Sequence, residues 1–358
     1  MKAPSKPHST KPPTARSTHP QDSSGAIGDF LGRMAKVEGV AIAVVFLLLV
    51  LMFCVSAPRA FLGYRLYMSF MASVPPPLVI ALGLTLVAVA GEMDLSFPSI
   101  VAFSSYVFSI LFQNYGLTWP ALAAALATGT ALGLANGLII TQLGIPSLIA
   151  TLATLFLWGG LTIVVSNGIS VAIPQIIGTD IHTVFVGRIG VFPVQMLWAI
   201  GAAVLIWHIL NRHRFGENLL FIGDNAKVAK VVGIATDLEK IKLFTLMGFL
   251  SAFAGVLLTL ETTSYFSSQG MGYLLIVVAS VFIGGTSIFG GSGKVIGTVF
   301  GSLIVAIIEA GLVASGIQGF WTQFFIGVVF IVSVTMNTAI EDPDKVPLLK
   351  KLRSRARK

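Results

Sequence analysis

Along this chain, long apolar runs alternate with short polar interruptions, and one interruption is much longer than the others. Each run approaches the ~20 residues that a helix needs to cross a bilayer. The runs lie at 38–57, 73–90, 96–113, 119–140, 147–166, 193–211, 241–260, 273–290, 296–316 and 318–336. Only helices and closed barrels satisfy every backbone group in lipid, so the pattern predicts an all-α, polytopic membrane helix bundle of about ten spans. The stretch Gly91 to Ser99 interrupts the second and third runs, which reads as a broken second/third helix. Such a break is tolerated at membrane depth only where it is buried in protein or lines a water-filled cavity.

Residues 1–29 are rich in Ser, Pro, Thr and Lys and poor in apolar side chains, which predicts a disordered tail. The expected organisation is a tail at 1–35, a transmembrane domain at 36–337 and a basic tail at 338–358. Composition agrees with the membrane reading. Hydrophobic residues make up 55% and charged residues 11% of the chain, against roughly a quarter charged in a soluble protein. Mean hydropathy is +0.89.

Charge placement sets the orientation. Of the 23 Lys and Arg, 20 fall on one face if ten spans are threaded, in the two tails, the long polar segment and the loop holding Lys294. Arg59, Arg65 and Arg188 alone fall on the other. By the positive-inside rule both termini are cytoplasmic. The net charge of +8 is therefore an orientation signal and not a nucleic-acid signal. Nothing at the chain start resembles a cleaved secretory signal. On the opposite face, residues 167–192 form the longest loop, polar enough for short strands or a surface helix. It is either a connector or a docking place for a soluble partner.

No catalytic constellation is visible. The five histidines show no metal-ligand spacing, and Cys54 lies alone in an apolar run. Gly290-Gly291-Ser292-Gly293-Lys294 superficially looks like a phosphate loop. The required Gly and the Ser or Thr are replaced by Ile288 and Val295, so no ATP site is expected on this chain.

Polar residues inside the spans carry more information, because burying them is expensive. Asp94 and Ser96 either cap and pin the helix break, with Ser96 capping the following helix and Pro98 in its first turn, or contact a solute. Glu309 is expected to face the bundle interior, as a hydrogen-bonded carboxyl or as a pathway residue. Asn136 and Gln323 suit interhelical hydrogen bonds, and Gly129, Gly133 and Gly137 suit close helix packing. Glu261 falls at a helix end and is expected to be solvated.

The long interruption, Arg212 to Lys242, is too patterned for an idle loop. Asn225 can cap a short helix ending at Gly233, with Val228, Val231 and Val232 on one side and lysines on another. Helices of this kind, lying across the spans, would offer an amphipathic face to a cytoplasmic partner or to the membrane surface.

This segment resembles the cytoplasmic coupling segment of permease subunits of ribose-type ABC importers, the branched-chain amino acid/sugar permease family. Gly216, Ile222, Gly223, Asn225, Ala226, Ala229, Gly233 and Ile234 match that pattern. The stretch Gly91-Glu92-Met93-Asp94-Leu95-Ser96 is similar to the family's Gly-Gly-Ile-Asp-Leu-Ser. Gly284-Gly285-Thr286-Ser287, with Gly290, Gly291, Gly293 and Gly297, is similar to its late glycine motif. Departures fall at Glu217, Phe221 and Asp224 in the segment, at Glu92, Met93, Phe97 and Pro98 near the break, and at Glu309 where such permeases often carry Asn.

The resemblance implies a multi-pass subunit of the bacterial inner membrane that moves a small polar solute, first of all a monosaccharide. It implies coupling through Gly216, Gly223, Asn225, Ala226, Ala229, Gly233 and Ile234 to separate ABC ATPase subunits that hold the ATP-Mg. It also implies pairing with a second permease subunit, identical or paralogous, and delivery by a periplasmic or lipid-anchored solute-binding protein. The rival reading is an ion-coupled secondary transporter using Asp94 and Glu309 as coupling carboxylates. That scheme leaves the polar segment without a role.

Overall fold

The computed structural model describes residues 40–341, and these are helical almost throughout. The tail at 1–35 and nearly all of 338–358 lie outside the described residues; the last helix runs on to Glu341. In chain order the helices are α1 (Val40–Ser56), α2 (Pro58–Phe61), α3 (Tyr64–Ser73), α4 (Pro75–Val89), α5 (Phe97–Tyr115), α6 (Trp119–Gln142) and α7 (Ser147–Ser166). There follow α8 (Asp180–Val186), α9 (Gln195–Arg212), α10 (Arg214–Val231), α11 (Thr236–Thr262), α12 (Tyr273–Ile283), α13 (Val295–Ala314) and α14 (Thr322–Glu341).

A helix falls in every predicted apolar run. Four of them, α6, α7, α11 and α13, are long and apolar enough to cross a membrane alone, as is the stretch Gly319–Met336, a single 3-10 turn leading into α14. The pair α3–α4 qualifies as one span bent by 51°. The bend sits where Pro75, Pro76 and Pro77 open α4, since proline suits a helix's first turn but cannot continue a preceding one. The run at 273–290 is a partial miss. Its helix stops at Ile283, because Gly284 and Gly285 follow and Gly285 takes a left-handed φ of +83°.

α4 is apolar on every side, and such a helix belongs in the middle of a bundle. All of its residues are buried. Around it pack α11, α12, α9 and α13. Thr85 on α4 and Thr298 on α13 join hydroxyls at 2.7 Å, a polar tie inside an otherwise apolar core. The Gly129, Gly133 and Gly137 stripe works as expected, pressing α6 onto α11. A β-carbon on Gly133 would lie 2.9 Å from the Gly248 Cα of α11.

The loop at 167–192 is built as a small cap. Strand β1 (Val171–Ala172) pairs antiparallel with β4 (Ser264–Tyr265), and β2 (Arg188–Ile189) forms a hairpin with β3 (Phe192–Pro193). Ile173, Ile176, Ile181 and Phe185 bury themselves with Phe108 of α5 and Tyr265 in a satellite core. The α6–α11 contact yields a stability prediction. Gly133→Val, which overpacks backbone against backbone, should destabilise the protein by about 1–3 kcal/mol. Gly160→Val, where a β-carbon meets open space, should leave thermal unfolding in detergent unchanged.

Candidate functional site

The polar segment folds as α10 and the turn that follows it. Its helix is broken at Asn225, whose backbone leaves helical geometry (φ −158°, ψ 99°). The Asn225 Oδ1 accepts from the Lys227 N–H at 3.1 Å and the Val228 N–H at 3.2 Å, so Asn225 caps the second half as the sequence suggests. Gly233, at φ +93°, ends the segment. Two faces result. Gly216, Leu219, Ile222 and Ala229 are buried against the bundle. Glu217, Phe221, Asp224, Asn225, Ala226, Val228, Val231, Val232 and Gly233 are exposed, and Ile234 is half-buried at the edge.

The inner face meets both glycine motifs. A β-carbon on Gly223 would run into the Val89 carbonyl oxygen at the end of α4 and the Gly291 nitrogen. Gly291 N–H itself donates to the Val89 carbonyl at 2.9 Å. Gly290 carries φ +88°, and a β-carbon there would stand 2.8 Å from the Gly223 carbonyl oxygen and 2.8 Å from the Gly91 Cα. Three stretches far apart in sequence thus touch through backbone alone. Gly216 makes the matching approach to α9, against Ile209 and Leu210. Gly216 and Gly223 therefore hold the segment to the bundle, while Asn225, Ala226 and Gly233 lie on its open side.

A side-chain tie reinforces the junction. Lys240, near the start of α11, forms an ion pair with Glu92, one residue past Gly91, and both side chains are largely shielded from solvent. Glu239 next to it is buried, accepting from Asn218 of α10 at 3.2 Å and from Lys242 at 3.3 Å. Neither tie was visible in the sequence. Glu92 is one of the departures from the family pattern, and its partner lies too far along the chain to be inferred from spacing.

Beyond Glu92, Asp94 and Ser96 are buried, and all their side-chain oxygens but Asp94 Oδ2 are paired. Asp94 Oδ1 accepts from the Ser96 N–H at 2.7 Å and from the Ser96 hydroxyl at 2.6 Å. Asn136 of α6 donates to the Ser96 hydroxyl oxygen at 2.7 Å, and the Trp158 indole of α7 donates to the Asn136 Oδ1 at 3.0 Å. Met93 N–H and Leu95 N–H donate to the hydroxyls of Ser147 and Thr151. These two hydroxyls stand one turn apart on α7, a spacing the sequence displayed without showing what they face. Asp94, Ser96 and Asn136 are one network that pins the broken backbone. Ser96 stands at the N-cap position of α5, but its side chain makes no capping bond, because its hydroxyl donates to Asp94 and its oxygen accepts from Asn136. Pro98 does fall in the first turn of α5.

The remaining nominated residues stand apart from this network. Glu309 was expected to face the interior, yet it is exposed on α13, whose buried face runs through Gly301, Ile304, Val305, Ile308 and Leu312. Gln323 is exposed on α14 and makes no hydrogen bond to another described residue, so the expected interhelical bond is not formed within the subunit. No group of His, Cys, Asp and Glu among the described residues could hold a metal.

Apolar helices long enough to cross a bilayer, a buried backbone break, and a polar helix locked onto that break describe a multi-pass membrane transport protein. Residues 66–334 match the family described as the branched-chain amino acid transport system / permease component. The chain belongs to this permease family, in its branch of ribose-type ABC importers. It is 34% identical over 264 residues to the ribose import permease protein RbsC of Bacillus subtilis (strain 168), covering 72% of this chain and 80% of that one. It is 32% identical over 270 residues to the inner membrane ABC transporter permease protein YjfF of Escherichia coli (strain K12), covering 73% and 80%. It is 30% identical over 264 residues to the autoinducer 2 import system permease protein LsrD of Salmonella paratyphi B, covering 72% and 78%. No solved structure matches the chain.

The Glu92–Lys240 pair makes a testable prediction. Glu92→Lys or Lys240→Glu should each lower stability by about 1.5–3 kcal/mol, the scale of a hydrogen bond to a charged group. The double exchange should recover most of the loss, read by thermal unfolding of the purified protein. Equal losses in the single and double variants would show the pair to be incidental.

Proposed function

We propose that this chain is the membrane permease subunit of an ABC importer that carries a small polar solute, first of all a monosaccharide, across the bacterial inner membrane. The observation that carries the reading is the junction of Gly91, Gly223, Gly290 and Gly291. It couples an exposed polar helix directly to the backbone break and to the glycine turn after α12. Movement of α10 is then movement of both. The exposed side of α10 supplies the docking face for a separate ATPase, with Val228, Val231 and Val232 as its apolar part and lysines around it. ATP-Mg sits on those ATPase subunits and not on this chain. Glu217, Phe221 and Asp224, the departures from the family pattern, all lie on this open side and set which ATPase is accepted.

The bundle threads the membrane ten times, with both termini and α10 in the cytoplasm. That placement follows from the distribution of Lys and Arg. A solute-binding protein delivers to the opposite face. An exposed carboxyl partway along a spanning helix is costly against lipid, so Glu309 and Gln323 face a second permease subunit or the pathway between the two. Relatives named for ribose and for autoinducer 2 support a small polyhydroxylated solute as the class. The two conformations that transport requires need to differ by only a few kcal/mol, biased by ATPase contacts at α10.

The direct test is uptake into cells whose cognate ATPase has lost its phosphate-loop lysine. Uptake should fall to background; uptake that persists and follows the proton gradient would instead mark an ion-coupled transporter. On the permease itself, Val231→Glu should abolish co-purification of the ATPase while the protein still inserts and unfolds normally. Glu309→Gln should change the rate or selectivity of uptake with little effect on thermal stability, and unchanged transport would make Glu309 a packing residue.

A further inference from the structure

At the end of the bundle away from the glycine junction, α3, the β2–β3 hairpin and the C-terminal end of α11 enclose a cleft of about 380 Å³. Its Glu261 shares α11 with Lys240, and the two are separated by roughly 30 Å at 1.5 Å per residue, close to the thickness of a bilayer core. Arg65 and Arg188 both line this cleft. They are two of only three basic residues that charge placement assigns to this face. Neither has a carboxylate within ion-pairing distance among the described residues.

The cleft is also built from beneath. Gln195, at the start of α9, is fully buried, and its amide nitrogen donates both to the Ala72 carbonyl and to Glu261 Oε2, the latter at 3.0 Å. Glu261 is exposed at its helix end, as the sequence suggested, and this bond holds it in place. His182 lies within electrostatic reach of Glu261, but burial pushes its imidazole below the ordinary range, with Glu261 opposing the shift. Glu261 is the carboxylate of a cleft that Arg65 and Arg188 also line. Tyr64 and Ser69 with the apolar Met68, Ala72 and Val191 complete the lining.

These groups match one ligand chemistry. A guanidinium fork pairs with a carboxylate in two parallel hydrogen bonds. A fixed carboxylate accepts from hydroxyl groups, and a phenol ring offers a flat apolar surface to the C–H face of a sugar ring. Two cations against one anion favour a solute that brings a negative charge. The volume falls in the range of small-molecule sites.

We propose that this cleft is an entry subsite for a small polyhydroxylated solute bearing a carboxylate, with Arg65 and Arg188 on the carboxylate and Glu261 on a hydroxyl. The role as an entry subsite rests on the permease reading and its orientation; the binding itself does not. It narrows the solute from neutral sugars to sugar acids.

The experiment is equilibrium binding to the complete transporter in nanodiscs without nucleotide, with D-glucuronate and D-glucose as probes. D-glucuronate should bind more tightly than D-glucose. Arg65→Gln and Arg188→Gln should each weaken D-glucuronate by at least about tenfold, the scale of one charge-assisted contact. Both arginines are exposed, so these variants should retain the thermal stability of the parent. Glu261→Gln should weaken both probes. Equal binding of the two probes, or D-glucuronate binding indifferent to the arginines, would overturn the proposal. So would failure of both probes to bind while an acidic solute-binding protein requires Arg65 and Arg188, which would make the cleft a docking surface. Binding without nucleotide is independent of ATPase coupling, so these outcomes leave the permease reading standing or falling on its own test.

Discussion

The approach of Gly223 to the Val89 carbonyl oxygen leaves no room for a side chain, and the site depends on that contact. It brings the polar segment, the end of α4 and the glycine turn after α12 within backbone reach of one another. A contact made through side chains can relax by changing rotamer. A contact made through backbone cannot, so displacement of α10 must displace what it touches. The Gly291 N–H to Val89 carbonyl bond closes the arrangement and also satisfies an acceptor at the end of α4 that the helix leaves free.

The second constraint is the cost of opening a helix inside the membrane. Residues between α4 and α5 must find partners for backbone groups that helices would otherwise pair. They obtain them from hydroxyls one turn apart on α7 and from the Asp94 carboxylate, which Ser96, Asn136 and Trp158 link to α6 and α7. Asp94 Oδ2 is buried and has no partner among the described residues, so the network is not filled. The Glu92–Lys240 pair ties the start of the break to α11, the helix that runs from the glycine junction to the cleft at the far end. One rigid element thus spans both ends of the proposed pathway.

Much of this was legible in the sequence, for identifiable reasons. The apolar runs announced their helices because lipid admits only helices and closed barrels, and runs of about 20 residues suit helices. Asn225 and Gly233 announced the ends of a short helix through the chemistry of caps. Asp94, Ser96 and Asn136 were each visible as costly intramembrane groups, but their union required three dimensions. Trp158, Ser147, Thr151 and Lys240 escaped notice because aromatic and hydroxyl residues are ordinary in membrane helices and a lysine is ordinary in a polar segment. Glu309 was misplaced for a physical reason: lipid is as apolar as a protein core, so hydropathy does not tell an interior face from an exterior one. The solute was not readable at all, since the residues of the proposed cleft are single ones scattered over α3, the β2–β3 hairpin and α11.

The most direct measurement of the central claim is the number of solute molecules moved per ATP hydrolysed by the reconstituted importer carrying Gly223→Ala. One methyl group at this position separates α10 from Val89 and Gly291 while leaving the open face of α10 intact. The ATPase should still bind and hydrolyse, and the transported solute per ATP should collapse. A ratio equal to that of the parent protein would show that the junction is packing alone and that coupling passes elsewhere.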